Sequence, residues 1–350
     1  MKKNNIKIIK DEKYNFVSYF NLDNGDYIRF ETEEVFRASF PHLLDIGIMG
    51  HCLRGLSGNC KIDCYQSGKL IEEPNMELED YKKIIRQSKD KVFQVALGGR
   101  GDPDTHENFE EILSFTRENE IIPNLTTSGF FLNEGTAKII KKYCGACAVS
   151  FYEDEYSDKA LELLLEQEVI TNIHFVLSNK TIDRAIKLLE NIKDYEKINR
   201  IIFLLYKPIG QGKDENVLSV YDERLMRLIQ LMEENLEKVG FDSCLVPAIV
   251  NFAKRIDKMC YDACEAGRFS AYISPSLKIS PCSFEKTGQF DVDLKNLTIQ
   301  EAWNSKVFSN FLSSFETSCP ECKNWPNCMG GCPISSRITL CTERGTSIEI

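Results

Sequence analysis

A chain of 350 residues, 43% hydrophobic and 27% charged, is long enough to bury a large core and should hold one large domain with an appendage. Its formal net charge of −10 excludes nucleic acid and anionic membrane surfaces as main partners. No apolar run approaches the roughly 18 residues that span a bilayer. The amino-terminal MKKNNIKIIKDEKYN lacks the apolar stretch of a signal peptide, so the expected location is cytoplasmic.

Residues 1–40 read as an extension built on a β-hairpin. In YNFVSYFNLDNGDYIRFE (14–31) apolar and polar residues alternate around Asp-Asn-Gly. Such a hairpin either caps the main domain or offers an edge to an extended peptide. From 41 to 250 short apolar runs alternate with amphipathic stretches. The predicted strands are 43–49, 92–98, 121–127, 147–152, 170–177 and 200–206. Helical periodicity covers 78–90, 109–120, 135–143, 158–168 and 182–196, and a longer helix is predicted over 222–240. This alternation implies a parallel sheet with right-handed crossovers, and both a doubly wound open sheet and an open barrel satisfy it. In either, ligands gather at the carboxyl ends of the strands.

The remainder, 251–350, is cysteine-rich. Fourteen cysteines in a reducing compartment point to metal or catalysis rather than disulfides, and four histidines leave few mixed Cys/His sites. Three groups stand out: Cys52, Cys60 and Cys64; Cys260, Cys264 and Cys282; and Cys319, Cys322, Cys328, Cys332 and Cys341. All-sulfur zinc and iron–sulfur sites both remain open. The first group follows the first strand, in GIMGHCLRGLSGNCKIDCYQSG (47–68). LGGRGDP (97–103), TTSGF (126–130) and SFYEDE (150–155) follow the next three, which brings all four segments to one rim. Three cysteines would leave one iron of a four-iron cluster without a protein ligand. Cys144, Cys147 and Cys244 read as core cysteines. His51 reads as a loop residue, His106 as part of a helix start, Tyr152 as rim packing, and Glu153, Asp154 and Glu155 as a solvated acidic loop.

With these motifs the chain resembles the radical S-adenosylmethionine (SAM) superfamily over about residues 43–345, and its carboxyl end resembles the SPASM subgroup. The resemblance implies a partial (β/α)6 TIM-like barrel followed by a SPASM domain that holds auxiliary clusters. It makes Cys52, Cys60 and Cys64 the ligands of a 4Fe-4S cluster that chelates SAM, with Tyr65 as the aromatic residue beside the third cysteine. Here the spacing is C-x7-C-x3-C, where the family usually has C-x3-C-x2-C; the glycines of LRGLSGN would let the longer gap loop out. SAM contacts carried over by the resemblance are Asp102 for the methionine amino group, Ser128 in TTSG, Ser150, Asn179, and Pro208 and Gly210 in YKPIGQG (206–212).

CPECKNWPNCMGGC (319–332) reproduces the C-x2-C-x5-C-x3-C block of the SPASM pattern. By the resemblance two auxiliary 4Fe-4S clusters form. The one nearer SAM takes Cys264, Cys282, Cys332 and Cys260; the distal one takes Cys319, Cys322, Cys328 and Cys341. Leu277 stands where the family's hairpin turn has glycine, and a different turn type is expected. The implied activity is reductive cleavage of SAM to a 5′-deoxyadenosyl radical that abstracts hydrogen from a peptide substrate, most simply to install a thioether crosslink. A flavodoxin or ferredoxin-like protein would supply electrons. Sulfatase-type maturation and carbon–carbon crosslinking stand as alternatives within the class; an iron–sulfur electron carrier and a zinc-stapled scaffold stand outside it.

Overall fold

The computed structural model describes residues 5–31, 35–316, 319 and 321–342. The amino-terminal segment is a three-stranded antiparallel sheet, β1 (Ile6–Asp11), β2 (Phe16–Asn21) and β3 (Tyr27–Glu31). The predicted hairpin is β2–β3, and β1 is an added strand. Alternation buries Phe16, Ser18 and Phe20 on one face. Phe20 stacks on Phe93 at 5.3 Å and Phe16 meets Phe269 at 6.2 Å. Lys7 Nζ donates to the Val92 and Glu120 carbonyls, both at 2.9 Å. These partners lie just before strands of the main sheet, so the small sheet caps its amino-terminal rim.

The main sheet begins with β4 (Leu43–Ile46), followed by one helical turn, α1 (Leu53–Leu56). Then come α2 (Leu78–Ser88), β5 (Gln94–Leu97), α3 (Phe109–Glu118), β6 (Ile122–Thr127), α4 (Glu134–Tyr143) and β7 (Cys147–Ser150). They are followed by α5 (Glu155–Glu166), β8 (Thr171–Leu177), α6 (Ile182–Glu190), β9 (Arg200–Leu205), α7 (Glu223–Glu234), β10 (Val239–Phe241) and α8 (Val246–Phe252). The cysteine-rich part adds β11 (Ser270–Ile273), β12 (Lys278–Ser280), β13 (Val292–Asp293), α9 (Ile299–Trp303), α10 (Lys306–Glu316) and α11 (Trp325–Cys328).

Strand order is β10-β9-β8-β7-β6-β5-β4-β11-β12-β13, parallel from β10 to β11 and antiparallel beyond. From β4 to β10 each strand pairs with the next in sequence. A doubly wound sheet reverses direction at a switch point; this one does not, so right-handed crossovers lay every helix on the same side and the sheet is a partial barrel. Leu44, Ile46, Val95, Leu97, Val149, Ile173, Phe175 and Phe203 fill its core.

Two expectations need correcting. The helix predicted over 222–240 stops at Glu234, because Lys238 Nζ holds the Glu196 and Ile198 carbonyls and the chain turns into β10, parallel to β9. At the β11–β12 turn, Leu277 keeps the left-handed conformation that glycine would have, with φ at 63°. The non-glycine residue there costs about 1 kcal/mol. Packing of its side chain against the main core, and a 2.8 Å bond from Leu294 N to its carbonyl, offset the strain.

Candidate functional site

The three-cysteine loop leaves the carboxyl end of β4. Cys52 caps α1, its Sγ accepting from Gly55 N at 3.3 Å. The long first gap is thus wound into a helical turn. Gly55 sits so near Gly68 that a Cβ would stand 2.3 Å from the Gly68 carbonyl oxygen. Arg54, 5% exposed, pairs with Asp154 at the start of α5 and covers the rings of Tyr152 and Tyr156 at 5.0 and 5.2 Å. Asp154 is therefore no solvated loop acid. It caps α5 and anchors the cysteine loop, and its hydrogen bonds hold its carboxyl below the usual range despite partial burial. Glu153 pairs with Arg184.

Arg100, in the segment after β5, clasps both ends of the loop by donating to the Gly50 carbonyl at 2.7 Å and the Gln66 carbonyl at 3.2 Å. The turn after β9 holds the third cysteine. Gln211 N donates to the Cys64 carbonyl at 3.1 Å, and a Cβ on Gly210 would stand 2.3 Å from the Tyr65 carbonyl oxygen. Pro208 leads into this turn, behind buried Lys207.

These tethers hold both ends of the loop that carries Cys52, Cys60 and Cys64, three partly buried free thiols. Burial pushes the Cys52 thiol up, and Asp102, Cys60 and Cys64 add to the shift through their charge. Tyr152 is raised by burial first and then by Cys64 and Cys60, with Ser150 acting against the shift. Asp102 accepts from Ser128 N at 2.7 Å and Ser128 Oγ at 2.6 Å; burial raises its carboxyl against those bonds. Three sulfurs, Asp102, Ser128, Ser150 and Tyr152 thus share one rim. Asn179 does not join them: it is exposed, and its Oδ1 accepts from Arg224 on α7 at 2.9 Å.

The cysteine-rich unit docks on this loop. The Tyr65 ring lies 4.2 Å from that of Phe284, and Lys286 Nζ donates to Gln66 Oε1 at 2.8 Å. A cavity beside α8 and α11 is lined by Cys319, Cys322, Cys328 and Cys341, with Trp325 and Thr339. Trp325 Nε1 and Thr339 Oγ1 are buried there without a hydrogen-bond partner. Met329, Gly330 and Gly331 take φ of 48°, 77° and 84°, which explains the glycine pair inside C-x3-C.

Cys264 and Cys282 stand close to each other and to Cys332. Backbone N–H groups lie against the sulfurs of both groups: Ala266 beside Cys264, Phe284 beside Cys282, Gly330 beside Cys328 and Ser335 beside Cys332. Cys64 accepts from Gln66 N at 3.3 Å. All-thiolate sets with N–H donors on sulfur, and orphaned donors at the cavity wall, fit iron–sulfur clusters. Among the described residues no three His, Cys, Asp or Glu side chains gather tightly enough to share a single metal ion.

Cys260 is exposed, whereas Cys244 packs against the main core, as expected, and stands beside Cys332. Cys144 and Cys147 pack in the core, Cys147 Sγ donating to the Ala148 carbonyl at 3.8 Å. His106 is buried at the start of α3, bonded to the Met76 carbonyl at 3.1 Å. His51 lies on the loop, with Nδ1 3.4 Å from the Glu73 carbonyl.

No family model matches the chain, and no curated protein sequence does. Solved structures do. SuiB of Streptococcus suis bound to precursor peptide SuiA aligns over 97% of this chain and 99% of its own, with 16% identity and a TM-score of 0.75. SuiB bound to S-adenosylmethionine aligns over the same shares at 17% identity and a TM-score of 0.72. The enzyme anSMEcpe with bound AdoMet aligns over 83% of this chain and 89% of its own, at 18% identity and a TM-score of 0.62. At such identities the likeness is one of fold, and it agrees with the sheet order and the cysteine-rich unit. The fold of this chain is the partial barrel of those structures, followed by a cysteine-rich carboxyl-terminal unit.

Proposed function

We propose that this chain is a radical SAM enzyme that modifies a peptide, most simply by joining a cysteine sulfur to a carbon of another residue. The observation that carries the reading is the convergence of Cys52, Cys60 and Cys64 at the carboxyl rim beside the Asp102–Ser128 pair. A 4Fe-4S cluster held there would supply the electron for reductive cleavage of the SAM sulfonium and, through it, hydrogen abstraction from the substrate.

The chain's own residues do the holding. Cys52, Cys60 and Cys64 ligate the cluster. Arg54, Arg100 and Gly210 fix the loop that carries them. Asp102, raised by burial, offers a carboxylate to the methionine ammonium, which would neutralise it on binding. Ser128, Ser150 and the Pro208–Gly210 turn line the rest of the SAM site. Asn179 would join only if its bond to Arg224 opened. Cys319, Cys322, Cys328 and Cys341 would hold the distal auxiliary cluster, with Trp325 and Thr339 donating to its sulfurs. Cys264, Cys282 and Cys332 would hold the near one.

A peptide substrate is supported by the relatives of like fold, since SuiB was solved with its precursor peptide and anSMEcpe with Cp18Cys peptide. A flavodoxin or ferredoxin-like donor would reduce the enzyme in the cytoplasm. No helix among the described residues is long and apolar enough to cross a membrane. The test of the crosslink is mass spectrometry of a cysteine-containing peptide encoded beside the gene, after anaerobic incubation with the reduced enzyme and SAM. Loss of two hydrogens per crosslink, with a cysteine no longer open to alkylation, is the expected result. Loss of two hydrogens with every thiol still alkylated would favour carbon–carbon crosslinking.

A further inference from the structure

We propose that Cys244 is the fourth thiolate of the near auxiliary cluster, beside Cys264, Cys282 and Cys332, and that Cys260 is not a ligand. The assignment rests on the reading of this unit as a cluster domain. Cys244 comes from the barrel rather than from the cysteine-rich segment: it sits in the 3-10 turn Ser243–Leu245, directly after β10. Cys244 and Cys332 pack against the same core, and Cys244 stands close enough to Cys332, Cys264 and Cys282 to act on all three through charge. The fold thus brings four cysteines into one neighbourhood.

The turn carrying Cys244 is rigidly held. Asp242 N donates to the Phe203 carbonyl at 2.9 Å, while Asp242 Oδ2 accepts from Leu205 N at 3.2 Å and Lys207 Nζ at 2.8 Å. Lys207 is buried, lies over the Phe284 ring at 4.2 Å, and is near both Cys244 and Cys282. It supplies a fixed positive charge where thiolates collect. Cys260 has the opposite setting: it is exposed, and its neighbour Met259 is 90% exposed. The adjoining Tyr261 lies near Cys328 of the distal group.

Ligation breaks the Cys244 S–H bond, releases its proton to solvent and forms a sulfur–iron bond; no electron changes hands. A near cluster with four protein thiolates has no vacant iron for a substrate sulfur. Its part is then electron transfer, and the substrate thiol closes its bond elsewhere.

A background variant carrying Cys52→Ala, Cys60→Ala and Cys64→Ala isolates the auxiliary clusters after anaerobic reconstitution with iron and sulfide, with about eight irons expected. Adding Cys244→Ala should alter the electron paramagnetic resonance signal of one reduced cluster and speed its loss to a chelator at least tenfold. Cys244→Ser should do so more mildly, and Cys260→Ala should change neither. Circular dichroism checks that each variant is folded. The assignment is overturned if Cys260→Ala loses the signal that Cys244→Ala keeps, or if both match the background. An iron-replete chain indifferent to Cys244 overturns this assignment alone; a chain that takes up no iron overturns the functional reading as well.

Discussion

Replacing Lys207 by methionine keeps the apolar stem and removes the ammonium. The Asp242 carboxylate is left with Leu205 N as its remaining donor; Oδ1 already lacks one. The Lys207 side chain is 3% exposed and that of Asp242 19%, so solvent recovers little of the lost interaction. Breaking such a pair from one side costs about 3–5 kcal/mol. For 350 residues at about 2.1 cal/mol/K each, that lowers the melting temperature by about 4–7 °C. The double variant Lys207→Met with Asp242→Asn removes both charges but keeps an acceptor for Leu205 N, and should recover to within about 1–2 kcal/mol of the parent. Burial lowers the lysine's pKa, but Asp242 more than reverses this, so the folded value lies above the ordinary one. The pair's contribution is therefore full below the ordinary lysine pKa and fades only as pH climbs through the raised value. The parent-to-variant gap should stay flat across the neutral range. Thermal unfolding by circular dichroism, at equal cluster loading, measures all three. A single-variant loss under about 1 kcal/mol, or a double variant as weak as the single, would refute the buried-pair argument.

Further expectations concern neighbouring residues. Burial pushes Asp45 on β4 up to about 7, so the folded state loses stability as pH rises from about 4 to about 7. Asp45→Asn escapes that loss, and its advantage in thermal melts should grow by about 3 kcal/mol between about pH 5 and about pH 8; a constant difference contradicts the reading. Gly210→Ala forces a side chain into a left-handed position against the Tyr65 carbonyl, at about 1–2 kcal/mol of strain before any clash. It should cut the iron content by about four atoms while leaving about eight, and full loading would count against the tether. Trp325→Phe removes the buried, unpartnered N–H at the distal cavity and should lower that cluster's reduction potential in a redox titration; an unchanged potential contradicts the N–H to sulfur contact.

The sequence made the barrel legible because its six principal strands are short apolar runs separated by helices with clean apolar faces. Strands without such local signals escaped. β1 alternates lysine and isoleucine like a surface segment, and β10 hides in the tail of a helical pattern. β11 joins the main sheet by pairing with β4 across more than 200 residues. The grouping of the cysteines was legible from their spacing, and the family resemblance assigned each group to a cluster. The residues that tension them were not: Arg54 looked like filler in a long gap, Asp154 like a solvated acid, and Arg100 like loop. Their roles depend on which segments the barrel brings to one rim. The neighbours of Cys244 were hidden for the same reason, since Cys264, Cys282 and Cys332 lie 20 to 88 residues further along the chain.

One measurement bears most directly on the account: 5′-deoxyadenosine formed when the anaerobically reconstituted chain is mixed with SAM and dithionite. The account predicts release of 5′-deoxyadenosine by a protein holding about twelve irons, and none by the Cys60→Ala variant, which keeps about eight. Cleavage undiminished in that variant, or a parent rich in iron that leaves SAM intact, would contradict it.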